Sequence, residues 1–321
     1  MASQSKKETL PITAVITNLF RNLPRLMLTN LLFAVPMAAF LGLFWFLGTL
    51  LPLDSMQQNL LTLLTLVPLS PFYAGVVKVT VKMASGEEKT PVWSNFFSAV
   101  KENFGRFLIH GAVFYVAVVF SYISFSIYLH LISVNMLFVA PFVITIIIML
   151  VLAFMFFYIP AMTVTFDIPM KYIYKNSFLM SYGELKNNFI GLFGLFLLTV
   201  VSTTFLIACY GSPVAVVIVT AVLAAVFVPA IAAFIIHSAV YAQMYAMITD
   251  RSRQMEKINA KIDAKKQQHA AQSRDELLES LRNFEVDESI PDDEYVYFNG
   301  RMVKNGTLKK LKKEAEESGG A

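Results

Sequence analysis

Along this chain, long runs of apolar residues alternate with short polar stretches, and the lengths of the runs decide the class of fold. A hydrocarbon core of about 30 Å is crossed by about 20 predominantly apolar residues in α-helix. Six runs qualify: residues 26–53, 59–81, 106–130, 136–166, 189–209 and 213–248. The last is longer than a bilayer requires, so it tilts or emerges as helix on one side. The second carries Pro68 and Pro71 and ends in Lys78 and Lys82. Those lysines lie four apart, on one helical face, placed to snorkel toward headgroups. The predicted fold class is an all-α integral membrane protein with six transmembrane helices arranged as three hairpins.

A second pattern precedes each pair of runs. "PVWSNFFSAVKENF" places Trp93, Phe96, Phe97 and Val100 at helical spacing; "LPITAVITNLFRNLPRL" does the same with Ile12, Val15, Ile16, Leu19 and Phe20. "MKYIYKNSFLMSYGELKNNF" arranges Tyr172, Ile173 and Leu179 around a mixed face. Helices with one apolar aromatic face and one basic face lie in the membrane interface. Each then reaches Asn22, Asn103 or Asn188, a residue type suited to capping the next helix. At Lys101-Glu102-Asn103-Phe104 the expectation is that Lys101 faces headgroups, Asn103 caps and Phe104 enters lipid. Lys186-Asn187-Asn188-Phe189 echoes it.

The second run of each pair has proline beside small residues: Pro71 near Ala74 and Gly75, Pro160 before Ala161, and Pro229 before Ala230. Such positions kink a helix and let neighbours approach. The pattern predicts three units, 10–84, 90–168 and 169–250, each an interfacial helix plus a two-span hairpin. The competing explanation is convergence, since any basic point of membrane insertion favours Lys, Asn and aromatic residues.

Composition and charge add a direction. Only 15% of the 321 residues are charged, against roughly 25% in an average soluble domain. Of the 26 Lys and Arg, 14 follow Asp250, as do 14 of the 22 acids, so the apolar body carries the net +4. No Lys or Arg falls between Leu26 and Val77, Phe107 and Met170, or Asn187 and Asp250. With six spans, every basic residue then lies on one side. By the positive-inside rule that side is the cytoplasm, and both termini are expected there. The basic residues flank apolar runs rather than clustering on a soluble face, which argues against nucleic-acid binding. The lipid bilayer is the expected partner. The N-terminus does not read as a signal peptide, because a mixed stretch precedes a run far longer than an h-region.

The domain layout is a cytoplasmic amphipathic segment (1–25), a membrane domain (26–250) and a cytoplasmic tail (251–321). The tail divides into a helical stalk (251–284), an acidic linker (285–294), and a hairpin with a short basic helix (295–317). "YVYFNGRMVKNG" alternates around Asn299-Gly300, a hairpin signal. Lys309, Lys310, Lys312 and Lys313 are placed to touch anionic lipid. The tail is expected to be a small docking element rather than a disordered segment.

The stretch "LSPFYAGVVKVTVKMASGEEKTPVWSNFFSAVKENFGRF" resembles the YesL-like family of bacterial membrane proteins. The resemblance is carried by Pro71, Ala74, Gly75, Lys78, Gly86, Glu87, Trp93, Phe96, Phe97, Lys101, Asn103 and Phe104. A second family-like stretch runs through Pro160, Asp167, Asn176, Lys186 and Asn188. The resemblance covers about residues 10–250. It implies a location and a context, association with carbohydrate uptake and utilisation, but no reaction.

Candidate chemistry is sparse. The single Cys209 allows no intrachain disulfide, and His110, His130, His237 and His269 are scattered, so no metal or other cofactor is expected. No phosphate-binding loop, His-Glu-x-x-His or Gly-x-Ser-x-Gly motif is present. Asp167 reads either as an ion ligand or, preferably, as the N-cap of the following helix, with Pro169 in its first turn. His110 and His237 near span ends are expected to contact headgroups rather than relay protons. Ser70, Ser121, Ser124, Ser126 and Tyr122 read as interhelical glue before they read as a polar path. The functional expectation is a non-enzymatic accessory or scaffold protein, touching membrane transporter components through its cytoplasmic face. The alternative is a small-solute permease, which needs a polar cavity between the hairpins.

Overall fold

The computed structural model describes residues 12–87 and 91–317. The expected amphipathic character of residues 1–11 lies outside the described residues. The chain falls into two compact units, residues 1–248 and 249–321.

The first unit is helical throughout. It comprises α1 (Ile12–Leu50), α2 (Ser55–Leu63), α3 (Leu66–Ala84), α4 (Val92–Val134), α5 (Val139–Thr165), α6 (Met170–Gly183), α7 (Leu185–Ala208), α8 (Pro213–Val222) and the start of α9 (Val228–Asn283). Six stretches are long and apolar enough to cross a bilayer: Thr13–Leu50, Ser55–Ala84, Val92–Val134, Met136–Thr165, Leu185–Ala208 and Pro213–Asp250. They present Trp45, Phe120, Ile147, Phe193 and Val217 outward, more than half exposed, as a surface meant for lipid. This is a multi-pass α-helical membrane protein.

Two of the three interfacial helices are not separate elements. α1 and α4 run straight from the amphipathic stretch into the apolar one, about 58 Å and 64 Å long at 1.5 Å per residue. The reason lies in the asparagines. Asn22 Nδ2 donates to Asn18 O at 2.9 Å, and Asn103 Nδ2 donates to Ala99 O at 3.2 Å. Each side chain folds back onto the preceding turn of its own helix, so neither opens a new one, and the capping expectation fails at both. Only the third unit has the predicted break, between α6 and α7 at Glu184.

The second span is made of two helices. Leu64 and Thr65 join α2 to α3, where Pro68 falls in the first turn and withholds no needed N–H. The sixth also deviates: Leu223–Phe227 form a π-turn just before Pro229.

Helix α3 packs on α1, α4 and α5, and its contact with α4 is the most extensive in the unit. At Gly75 a Cβ would lie 2.5 Å from the Phe96 ring, so the glycine admits a fully buried phenylalanine against backbone. Two apolar clusters surround this contact. One gathers Phe107, Phe154, Tyr158, Met162 and Ile173; the other gathers Leu26, Phe33, Val76, Phe96 and Phe234.

In the second unit, α9 ends at Asn283, and strands β1 (Tyr295–Phe298) and β2 (Arg301–Lys304) pair antiparallel before α10 (Asn305–Glu317). The turn places Asn299 at φ 44° and Gly300 at φ 80°, the positive pair that a two-residue hairpin loop requires. Asn305 is buried, and its amide donates to Ile290 O (2.7 Å) and Asp287 O (3.3 Å), tying the linker to α10. Leu281, Leu308 and Ala315 are buried, and Phe284 meets Phe298 edge-on. Two of the lysines expected on lipid are engaged internally: Lys309 with Asp292 at 2.8 Å, and Lys312 with Phe284 O at 2.8 Å. At Asp287, hydrogen bonds from Ser289 hold the carboxyl below the usual carboxylate range.

Candidate functional site

The basic ends of α3, α4 and α7 gather most of the residues that the sequence singles out. Lys78 does not reach outward: its Nζ donates to Val164 O at 2.9 Å, in the last turn of α5. A cation there meets orphan carbonyls at the negative end of a helix dipole. Lys82 pairs with Glu87 at 3.5 Å. Trp93 is exposed and tilted against Phe97, and Lys101 and Phe104 are also exposed.

Asp167 is not an N-cap. Pro169 takes the cap position of α6 and no side chain closes it. The Asp167 side chain is 99% exposed and pairs with Arg106 at 3.3 Å. Such a pair contributes little, about 0–1 kcal/mol. Asn188 does cap a helix, but the preceding one. Its Nδ2 donates to Met180 O and Ser181 O, both at 3.0 Å, closing α6, while its Oδ1 accepts from Tyr158 at 2.6 Å. Lys186 instead lies on the wall of an apolar groove between α1, α7 and α9.

His110 is buried in the helix bundle rather than turned to headgroups. Its Nε2 is 2.9 Å from Thr163 Oγ1, and its Nδ1 is 2.8 Å from the Tyr174 hydroxyl. Thr163 already donates to Ile159 O at 2.7 Å, so its oxygen must accept from Nε2–H. Tyr174 then donates to Nδ1, and the neutral imidazole is fully satisfied. Burial raises the Tyr174 phenol above its ordinary pKa, keeping that donor protonated. His237 is likewise buried, with Nδ1 2.8 Å from Thr80 Oγ1, which itself donates to Val76 O. Both histidines tie helices together, because side chains with two hydrogen-bonding nitrogens are costly to leave unpaired in an apolar interior.

The His110–Thr163 contact separates two spaces. On one side is a cavity of about 440 Å³ walled by α1, α3, α4, α5 and α9. Its wall is dominated by Phe33, Leu69, Phe107, Phe156 and Phe157, with Ser70, Tyr73 and His110 as its polar members. Pro160 contributes to it, and Gly111 lets Ser70 close on α4, where Ser70 Oγ lies 2.7 Å from Phe107 O. On the other side is a polar recess of about 360 Å³ bounded by Glu102, Asn103, Arg106, Asp167 and Thr163 itself. His110 thus lines the cavity and Thr163 the recess, and their hydrogen bond joins the two walls.

Two participants escaped the sequence reading: Thr163 and Tyr174. Among the described residues no three His, Cys, Asp or Glu side chains are grouped to hold a metal ion.

Residues 26–125 match the model of a family described as a protein of unknown function, DUF624. The matched segment runs from α1 into α4, within the stretch that resembles the YesL-like family, and includes Pro71, Gly75, Lys78 and His110. Asp167, Asn188 and Tyr174 lie beyond it. No curated protein matches the chain, and no solved structure does.

Proposed function

We propose that this protein is a non-enzymatic accessory protein of the bacterial cell membrane, working beside a carbohydrate-uptake system. Its basic ends and both termini lie in the cytoplasm in this reading, which the one-sided charge distribution supports under the positive-inside rule. The observation that carries the reading is the folded second unit. Its hairpin sets Tyr295, Tyr297 and Met302 on an exposed face, each more than half accessible, with Tyr297 directly opposite Met302. Aromatic and methionine side chains in an exposed cluster are the composition of a protein-binding patch.

The competing reading is a small-solute permease. The central cavity is walled chiefly by phenylalanine and leucine, so a hydrophilic solute would find few partners there. That lining favours the accessory role.

The test is affinity purification of the full chain from native membranes in mild detergent, beside a Tyr295→Ser/Tyr297→Ser/Met302→Ser variant. Components of a sugar-uptake system should be enriched with the former and lost with the latter. Equal recovery by both, or recovery of no transport component by either, would overturn the proposal.

A further inference from the structure

The central cavity has a neighbour. A second space of about 350 Å³ is lined by α4 and α5 alone, through Ser121, Tyr122, Phe125 and Met149. It shares Phe114, Ala153 and Phe156 with the central cavity. Together the two extend along α4 from Phe107 to Phe125, about 27 Å at 1.5 Å per residue, close to the ~30 Å depth of a hydrocarbon core. The inner part lies among five helices. The outer part lies between only two, beside the outward-facing Val116, Phe120, Ile146 and Ile147.

We propose that the two spaces form one binding site for a neutral, single-chain amphiphile, such as a long-chain or isoprenoid alcohol, that enters sideways from the bilayer. The shape calls for an elongated apolar body, because the outer slot is a groove between two helices rather than a rounded chamber. The lining calls for a chain rather than a sugar or nucleotide. No Asp, Glu, Lys or Arg lines either space, so a charged head would be desolvated without a counter-ion.

Polarity is confined to the inner end, where Ser70, Tyr73 and His110 contribute to the wall. His110 is occupied by Thr163 and Tyr174, and Ser70 by backbone carbonyls of α3 and α4. The one Ser70 hydrogen is shared between those carbonyls, so Tyr73, packed edge-on against Phe33, is the hydroxyl left to donate to an alcohol head. On the side of the polar recess stands the His110–Thr163 hydrogen bond, with Lys78 bonded to Val164 O in the next residue of α5. The site is thus built to be filled from lipid, whatever partner the second unit binds.

The probe is hexadecanol bearing a diazirine and an alkyne, photolysed with the full chain in phosphatidylcholine nanodiscs. Cross-links should map to the walls of the two spaces, at Phe33, residues 66–73, 107–125 and 149–160, and Ile236, and excess plain hexadecanol should suppress them while hexadecanoate does not. Tyr73→Phe should weaken competition about fivefold, the loss of one neutral hydrogen bond. Ala153→Phe, placed on the shared wall, should abolish labelling. If that variant does not fold, Tyr73→Phe decides alone, since it removes only an oxygen. Cross-links spread over lipid-facing residues such as Phe193 and Val217 without competition would mean annular lipid only and overturn the proposal. So would equal competition by hexadecanoate, or an unchanged affinity in Tyr73→Phe.

Discussion

Asn30 and Ala230 stand 200 positions apart and are joined by a 2.7 Å hydrogen bond, the Ala230 N–H donating to Asn30 Oδ1. The same amide donates to Ala224 O at 3.2 Å, so one fully buried side chain spans the π-turn and Pro229 in the sixth span. A wide turn and a proline both free backbone groups, and in hydrocarbon each must find a partner within the protein. Asn30→Leu should therefore cost about 2 kcal/mol or more, from one orphan donor and one orphan acceptor. Thermal unfolding in detergent reads this. A midpoint within error of wild type would show that water or a neighbour replaces the amide.

Gly75 and Phe96 should behave as a lock and its key. Gly75→Ala forces the buried ring to move and should destabilise by about 1–3 kcal/mol. Phe96→Leu, costly alone, should recover part of that loss when combined with Gly75→Ala, with a coupling of about 1 kcal/mol in a double-mutant cycle. Additive costs would remove Phe96 as the reason for the glycine.

Tyr174 predicts a pH dependence. Its folded pKa is raised by burial above an ordinary value of about 10. The neutral phenol and its bond to His110 therefore contribute fully below pH 10, and that contribution is lost as pH rises through the folded value. Tyr174→Phe should be about 1 kcal/mol less stable at pH 8. The gap should narrow toward pH 11. A gap that is constant over this range would mean the hydroxyl does not titrate with folding.

In the second unit, Asn305→Ala leaves two carbonyls in the linker without their donor and should cost about 2 kcal/mol there. Limited proteolysis should cut residues 285–294 much faster in the variant, with the membrane unit's unfolding midpoint unchanged. Equal cleavage rates would show that α10 is held by Leu308 and Phe284 instead.

How much of this was legible depended on the range of the interaction. The six spans were visible because twenty apolar residues in a row carry the signal within one helix. The Asn299-Gly300 hairpin was visible because the turn needs two positive φ values and those residue types supply them. The asparagines were misread at Asn22 and Asn103, because the same side chain serves a cap or a back-bond, and local sequence does not say which. Asn188 closes a helix, but its acceptors lie upstream of the helix it was expected to open. His110 looked interfacial because it lies near the end of its span; its partners are Thr163 and Tyr174, 53 and 64 residues distant.

The 200-residue reach of the Asn30 amide also has a bearing on how the chain is made. α3 and α4 are neighbours in sequence and pack as soon as both exist, so the Gly75–Phe96 contact can form early in synthesis. The acceptor and donor that Asn30 needs emerge only with the sixth span. Until then the first span holds a polar amide without either partner, a costly state in an apolar surrounding. A chain stopped after five spans is marked as unfinished by its own first helix.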